Sequence, residues 1–93
     1  MVTTEAQKDQ LDSMLERLGT FDPATQTADD LKKISGVGPV MEGKLHQLGL
    51  YTFDQVSKME DRDYDLLDEI IGEFPGRAKR DDWAGQAEKL KNN

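Results

Sequence analysis

Apolar residues in this 93-residue chain recur every three to four positions, which is the spacing of amphipathic helices. No stretch shows the sustained alternation of apolar and polar residues that marks a half-buried strand. The pattern predicts an all-α fold: a compact bundle of short helices with an amphipathic helix at the N-terminus. The residues expected to face inward are Leu11, Met14, Leu15, Leu18, Leu31, Ile34, Met41, Leu45, Leu48, Phe53, Val56, Tyr64, Leu67, Ile70, Ile71, Trp83, Ala87 and Leu90.

Residues that stabilise helix ends predict where the helices begin and end. Thr4 and Gln7 have the spacing of a capping box before an amphipathic stretch that Gly19 closes, and Thr52 and Gln55 repeat that spacing. The expected helices run over 4–18, from near Thr27 to the glycines at 36 and 38, from Pro39 to Leu48, from Thr52 over a short stretch, from Asp61 to Ile71, and over roughly 79–91, with a turn at EFPGR, 73–77.

The N-terminal helix is set apart from the rest of the sequence. TFDPATQTA is rich in turn formers and lacks any period, so the chain divides into a helix over 1–19, a linker over 20–28 and a domain over 29–91. The apolar stripe of the first helix either packs on this domain or lies in a groove of a partner. We favour packing on the domain, because an exposed stripe promotes aggregation. The residues of this candidate partner-binding stripe are Leu11, Met14, Leu15 and Leu18.

The charge balance bears on the choice of partner. Nineteen acidic residues against twelve lysines and arginines give a net charge of −7, which argues against a nucleic-acid partner. The segments 31–58 and 77–93 are nevertheless locally basic. The sequence has no apolar run long enough to span a membrane, no features of a secretory signal and no cysteine. We therefore expect a cytoplasmic protein without membrane contacts or disulfides.

The stretch SGVGPVMEGK, residues 35–44, is the first candidate site. Its glycines allow a close approach to the backbone, and the amides of Gly36, Gly38 and Val40 would point outward at the start of a helix, where the dipole favours an anion. The alternative is a tight turn between two helices in which glycine relieves strain. From spacing alone the turn is favoured, because a lone pair of glycines is a weak signal.

The surrounding sequence resembles a helix-hairpin-helix domain. DDLKKISGVGPVMEGKLHQLGLYTFDQV has a leucine and an isoleucine three residues apart, a GVG hairpin, a proline and a second helix that ends in GL. EFPGRAKRDDWAGQAEKL resembles the closing segment of a small bacterial type, found alone or appended to larger proteins such as the E subunit of NADH-quinone oxidoreductase and a ribosomal protein. The resemblance covers about residues 29–91 and is more specific for fold than for function.

The resemblance implies a role for the hairpin. In the wider family the hairpin amides hold the DNA backbone without reading its sequence, often with a monovalent cation bound by hairpin carbonyls. That role would fall on Gly36, Val37, Gly38 and the amide of Val40. This chain departs from many DNA-binding members at Val40, where they carry a polar residue, and at Glu42, whose carboxylate repels phosphate. The remaining candidate phosphate partners are Lys32, Lys33 and Lys44.

One further pattern resembles a metal site. Asp61, Asp63 and Asp65 have the spacing of a calcium loop, but Leu66 and Gly72 stand where that loop needs glycine and glutamate. We therefore expect no metal site there.

The remaining titratable residues form no catalytic set. His46 is the only histidine, and the neighbouring Asp81 and Asp82 point to different helical faces. Trp83 is expected to anchor the core rather than to stack on a base. We expect no enzyme activity, no cofactor beyond the implied monovalent cation and no small-molecule substrate. The densest basic cluster, which could contact phosphate or an acidic partner, is Arg77, Lys79 and Arg80.

Two functions follow from these patterns. The favoured one is a non-catalytic interaction module that docks into a larger protein assembly, in keeping with the net acidity, Glu42 and the additional N-terminal helix. The alternative is DNA binding without sequence specificity, through backbone phosphate contacts at the GVG hairpin. Three lysines near acidic segments would make such binding weak and sensitive to salt.

Overall fold

A computed structural model describes residues 3–72 and 75–92. These residues form six α-helices and no strand, which confirms the all-α prediction. None of the helices there is long and apolar enough to cross a membrane. Residues 73 and 74 of the expected EFPGR turn lie outside the described residues. In chain order the elements are α1 (Glu5–Leu18), a 3₁₀ helix (Leu31–Lys33), α2 (Pro39–Gln47), α3 (Phe53–Ser57), α4 (Asp61–Ile71), α5 (Arg77–Arg80) and α6 (Trp83–Lys91).

The capping signals place three of these helices as predicted. The Thr4 hydroxyl accepts from the Gln7 amide at 3.1 Å, and the Gln7 side chain accepts from the Thr4 amide. Thr52 and Gln55 form the same reciprocal cap on α3. The fourth helix has the predicted bounds and ends at Gly72, whose backbone is left-handed with φ 70°.

The helix expected from Thr27 is wrong. Only a single 3₁₀ turn forms there, and the side chain of Asp30 caps it by accepting from the Lys32 amide. Asp29 lies beside the start of α3: its amide donates to the Tyr51 carbonyl at 3.0 Å, and its carboxylate accepts from the Phe53 amide at 2.8 Å. These pairings hold the backbone of Asp29 outside a helix, which the local pattern of acidic residues does not reveal.

The helix expected over 79–91 is broken in two. Asp82 has a left-handed backbone with φ 48°, which ends α5 and starts α6 in a new direction. Its carboxylate accepts from the Gly85 amide at 3.2 Å and so caps α6. The break lets Trp83 point into the core, where it is buried.

The core contains the residues that helical spacing indicated. Leu11, Leu15, Ile71 and Leu90 are only partly buried and pack against it, while the other predicted inward residues are buried. Helical spacing did not mark several further core residues, most of which lie in turns or at helix ends. These additional buried residues are Val37, Leu50, Met59, Leu66 and Ala78.

The first helix packs on the rest of the molecule through its apolar stripe. Met14 and Leu18 are buried in the core, and Leu11 and Leu15 pack against it. The stripe therefore packs mainly inside the chain, as the favoured expectation had it. Arg17 adds a polar attachment, since its guanidinium donates twice to the carboxylate of Asp63 in α4, at 3.1 and 2.5 Å.

A buried amide joins the end of α1 to the following elements. The side chain of Gln55 is 3% exposed. Its Nε2 donates to the carbonyls of Gly19 at 2.7 Å and Gly49 at 3.0 Å, and its Oε1 accepts from the amide of Tyr51 at 2.8 Å. All the hydrogen-bonding capacity of the amide is used, so its burial is compensated.

The expected linker over 20–28 also contacts the domain. Phe21 stacks on Tyr51 with ring centroids 4.5 Å apart, and Tyr51 stacks in turn on His46 at 4.6 Å. Asp22 starts a turn in which its carboxylate accepts from the Ala24 amide at 2.9 Å. The segment is thus held by ring stacking and by its own turn.

Candidate functional site

The hairpin lies between the 3₁₀ helix and α2, and its two glycines differ. Gly36 has φ 99°, a left-handed conformation that favours glycine. Gly38 is extended with φ −100° and serves as the N-cap of α2, followed by Pro39 in the first turn. The Val37 side chain is buried, and the Val37 amide donates to the Ile34 carbonyl at 3.0 Å. Neither the Val37 side chain nor its amide is therefore presented to a ligand.

Glu42 has a structural role that the sequence did not indicate. Its Oε2 accepts at 3.0 Å from the amide of Leu31, the first residue of the 3₁₀ helix. The carboxylate therefore ties the two helices of the hairpin to each other. A backbone amide at a helix start is a favourable partner for an anion, and here the chain supplies that anion itself.

The C-terminal segment packs directly on the hairpin. The Gln86 Oε1 accepts from the Ser35 amide at 2.8 Å, and its Nε2 donates to the carbonyls of Ser35 at 3.3 Å and Asp81 at 2.6 Å. A methyl group added at Gly36 would collide with Asp81 Oδ2 and would lie 3.0 Å from the indole nitrogen of Trp83. One side of the hairpin is therefore covered by the molecule itself.

The cover over the hairpin contains an ion pair. The Asp81 carboxylate accepts from Arg80 Nε at 3.1 Å and from its terminal nitrogen at 3.2 Å. The hydrogen bond from Arg80 lowers the pKa of Asp81 below its usual value, and the charges of Arg80 and Arg77 act in the same direction. The Asp81 carboxylate beside Gly36 is therefore ionised at neutral pH, and the guanidinium of Arg80 balances its charge.

The opposite side of the hairpin, at the start of α2, is open. A methyl group added at Gly38 would meet no atom within 4 Å, and Val40 is 70% exposed. The first turn of a helix has amides without intrahelical acceptors, and a glycine N-cap has no side chain that could accept from them. The amides expected at Gly38 and Val40 thus lie on the more accessible side.

The lysines expected to assist the hairpin lie in the two elements that flank it. Lys32 and Lys33 are exposed in the 3₁₀ helix, and Lys32 lies 3.9 Å from the carboxylate of Asp30. Lys44 is half-buried in α2. Their contact with a phosphate stays a prediction.

The basic cluster of α5 is largely matched by carboxylates. Lys79 Nζ bonds Asp65 Oδ1 of α4 at 2.8 Å, and Arg80 is held by Asp81. Arg77 is half-buried. Lys79 and Arg80 are thus each paired with a carboxylate, and binding of phosphate or an acidic partner by this cluster stays a prediction.

Two of the aspartates with calcium-loop spacing bind different partners. Asp63 is buried against Arg17 and accepts from the Glu60 amide at 2.8 Å, while Asp65 pairs with Lys79. Within residues 3–72 and 75–92, no group of three or more histidines or carboxylates is arranged to hold a metal ion. The His46 ring stacks on the Tyr51 ring.

Sequence reasoning missed the side chains that act over long separations. Gln86 is 51 residues from Ser35, and Glu42 is 11 residues from Leu31. Their helices could be predicted, but not the helix faces on which they meet the hairpin. The i, i+3 relation of Trp83 to Gln86 is the only local signal, since a buried tryptophan brings its helix against the core.

Comparison with known proteins agrees with this architecture. A family model described as the RS2/RL21/YNQ2 HHH domain matches residues 31–91, which include the hairpin and α6 but not α1. No solved structure matches the chain.

Ribosomal proteins are among the relatives. The large ribosomal subunit protein bL21 of Jannaschia sp. is 48% identical over 60 residues, covering 64% of this chain and 23% of that protein. The small ribosomal subunit protein uS2 of Azorhizobium caulinodans is 40% identical over 74 residues, covering 76% of this chain and 21% of the relative.

A third relative is a 22.9 kDa protein in the nqo2 3′ region of Paracoccus denitrificans, 38% identical over 63 residues, with 68% of this chain and 29% of the relative covered. The chain thus spans between a fifth and a third of these three relatives, and what it shares with them is one domain. On its motif, its fold and its sequence match, the chain belongs to the RS2/RL21/YNQ2 family of helix-hairpin-helix domains.

Proposed function

We propose that this protein is a non-catalytic interaction module that docks into a larger protein assembly in the cytoplasm. The observation that carries the proposal is the cover over the hairpin. Gln86 occupies the amide and carbonyl of Ser35, and the carboxylate of Asp81 lies against Gly36. A hairpin that binds DNA needs its backbone free on the side that faces phosphate, and here Gln86 and the Asp81–Arg80 ion pair fill the space beside Ser35 and Gly36.

The relatives favour the same function. Two of them are named as proteins of the large and small ribosomal subunits, which are parts of a multi-component particle. The same domain in components of both subunits suits a role in attachment more than a role in one reaction. A cytoplasmic location accords with those relatives.

DNA binding without sequence specificity remains the second candidate, because the start of α2 is open. Nothing lies within 4 Å of a methyl group at Gly38, and the helix dipole would favour a phosphate there. A monovalent cation held by hairpin carbonyls would belong to this candidate and stays a prediction. The net charge of −7 opposes it at every distance beyond direct contact.

The decisive experiment combines sedimentation with a DNA titration. We expect the full chain, detected in lysates of the cells that produce it, to sediment with particles much larger than the free protein. We expect no saturable binding of the purified chain to duplex DNA at low salt. Saturable DNA binding that falls steeply with added salt would contradict the proposal.

The variant Gly38→Leu tests whether any DNA binding involves the start of α2. Gly38 has a negative φ and open space around it, so leucine should fit without disturbing the fold. If DNA binding occurs and is abolished in this variant, the phosphate contact lies at the start of α2. The far-ultraviolet circular dichroism of the variant should match the parent chain and so exclude unfolding as the cause.

A further inference from the structure

A groove of about 450 Å³ separates α1 from α4. Its walls are formed by residues 9–17 of α1 and 62–69 of α4, and at 1.5 Å per residue it is roughly 12 Å long. The buried residues Met14 and Leu66 lie at its floor. Because α1 lies outside the residues that the family model matches, the groove is an addition to the shared domain.

One part of the groove is electrostatically neutral. Arg17 is bound to Asp63, and this hydrogen bond raises the pKa of Arg17 above its usual value. Arg62 pairs with Glu60, with 3.3 Å between its Nε and the carboxylate oxygen. Both arginines that line the groove are therefore already matched by anions.

The remaining part carries unmatched negative charge. Asp9 lies two turns before Arg17 in α1, and Glu69 lies nearly two turns after Asp63 in α4. Both are exposed and line the groove, and neither forms an ion pair or a hydrogen bond within the described part of the chain. Asp65, which also lines the groove, differs in that it pairs with Lys79.

We propose that this groove receives a lysine- and arginine-rich segment of a protein partner. The aliphatic stems of such side chains would lie over Met14 and Leu66, and their charges would reach Asp9 and Glu69. This assignment rests on the docking function proposed above and gives the partner surface its chemistry: a basic, flexible or helical peptide segment. A polyanion is excluded by the same carboxylates.

Long-range attraction supports that choice of occupant. Asp9 belongs to a row of exposed acidic residues on α1 at spacings of three and four, and the whole chain has a net charge of −7. A field of one sign raises the rate at which an oppositely charged segment finds the surface. The row on α1 is Glu5, Asp9, Asp12 and Glu16.

The test uses the full isotope-labelled chain and a defined probe. The probe is a short synthetic peptide of lysine, arginine and leucine, and its counterpart with glutamate for every basic residue is the control. We expect amide shifts at residues 9–17 and 62–69 with the basic peptide, weakening as salt is added. No shifts are expected with the acidic peptide.

A matched pair of variants separates the groove from general charge. The double variant Asp9→Asn/Glu69→Gln should weaken peptide binding about tenfold, which corresponds to losing two close charge contacts. Asp12→Asn/Glu16→Gln changes the net charge equally on exposed positions that do not line the groove. That control should weaken binding by about twofold at most, since it removes only long-range attraction.

Several outcomes would overturn the assignment. These are equal weakening by the two double variants, shifts centred on the hairpin, absence of saturable binding at low salt, or single-stranded RNA producing the same shifts as the basic peptide. The sedimentation experiment reports separately on docking. If the chain still joins a large particle while Asp9→Asn/Glu69→Gln binds the peptide normally, the groove assignment fails and the docking function stands. If the peptide binds as expected and no particle is found, the groove stands and the docking function fails.

Discussion

The hairpin and the α1–α4 groove differ in how many of their polar groups are already bound by other residues of the chain. At the hairpin, Gln86 and Asp81 occupy the backbone around Ser35 and Gly36, so the motif shared with the family is partly closed. One wall of the groove is α1, which lies outside the family match. In this groove Asp9 and Glu69 carry charges that no described residue neutralises. Under the two proposals above, the motif shared with the family serves mainly as a structural connection, and the added helix supplies the surface that a partner contacts.

The contrast predicts that the groove depends on one ion pair, in which Asp63 is buried and Arg17 is 32% exposed. Replacing Arg17 with alanine leaves Asp63, whose side chain is 3% exposed, without a cation. The free energy of unfolding should fall by about 3 kcal/mol, because an unpaired buried carboxylate is strongly destabilising. Chemical denaturation measures the change. Glu16→Ala, at the exposed neighbouring position, should stay within about 0.5 kcal/mol of the parent chain, and an equal loss in both variants would contradict the assignment.

The two hairpin glycines should respond differently to the same substitution. Gly36→Ala places a methyl group against Asp81 at φ 99°, so we expect a loss of about 2 kcal/mol from backbone strain and collision. Gly38→Ala has open space and a negative φ. Its weaker helix cap and its stiffer unfolded chain should cancel to within about 0.5 kcal/mol. Similar losses in thermal denaturation of the two variants would show that the cover over Gly36 is not tight.

The smallest effect concerns the seam between α4 and α6, which holds the cover in place. The Tyr64 hydroxyl accepts from the Ala84 amide at 2.9 Å, and burial raises the Tyr64 pKa above its usual value of 10.0. The folded state thus favours the neutral phenol, so this contribution to stability is complete below pH 10 and is lost as pH rises above it.

The urea midpoint of the parent chain should therefore fall on going from neutral pH to above about pH 10, and that of Tyr64→Phe should fall less. Lys79 and Lys91 titrate in the same direction, because hydrogen bonds to carboxylates raise the pKa of each. The difference between the two proteins, rather than either curve alone, isolates Tyr64. Identical curves would contradict a pKa raised by burial.

How much could be predicted from the sequence depends on the separation between interacting residues. The capping boxes of α1 and α3 could be predicted because their two residues are three positions apart. The bounds of α4 could be predicted from its apolar period, which is also a local signal. The helix expected at Thr27 failed because Asp29 bonds the backbone near Phe53, 24 residues away. The helix break at Asp82 could not be predicted, because no reliable sequence signal marks an aspartate with a left-handed backbone.

The candidate site follows the same rule. The glycines, the proline and the start of α2 were evident from the sequence, and they form the hairpin as the resemblance implied. The cover by Gln86 and the capping role of Glu42 were not, since each depends on how one helix face meets another. Charge counts indicated an acidic protein without showing which carboxylates were already paired.

The buried amide of Gln55 determines how the molecule opens. Because it bonds Gly19 at the end of α1 and Gly49 at the end of the α2 turn, α1 cannot detach without stranding a buried donor. Detachment would also expose Met14 and Leu18, which are buried in the core. In native-state hydrogen exchange, the slowest amides of the first and third helices should share one opening free energy and behave as a single cooperative unit.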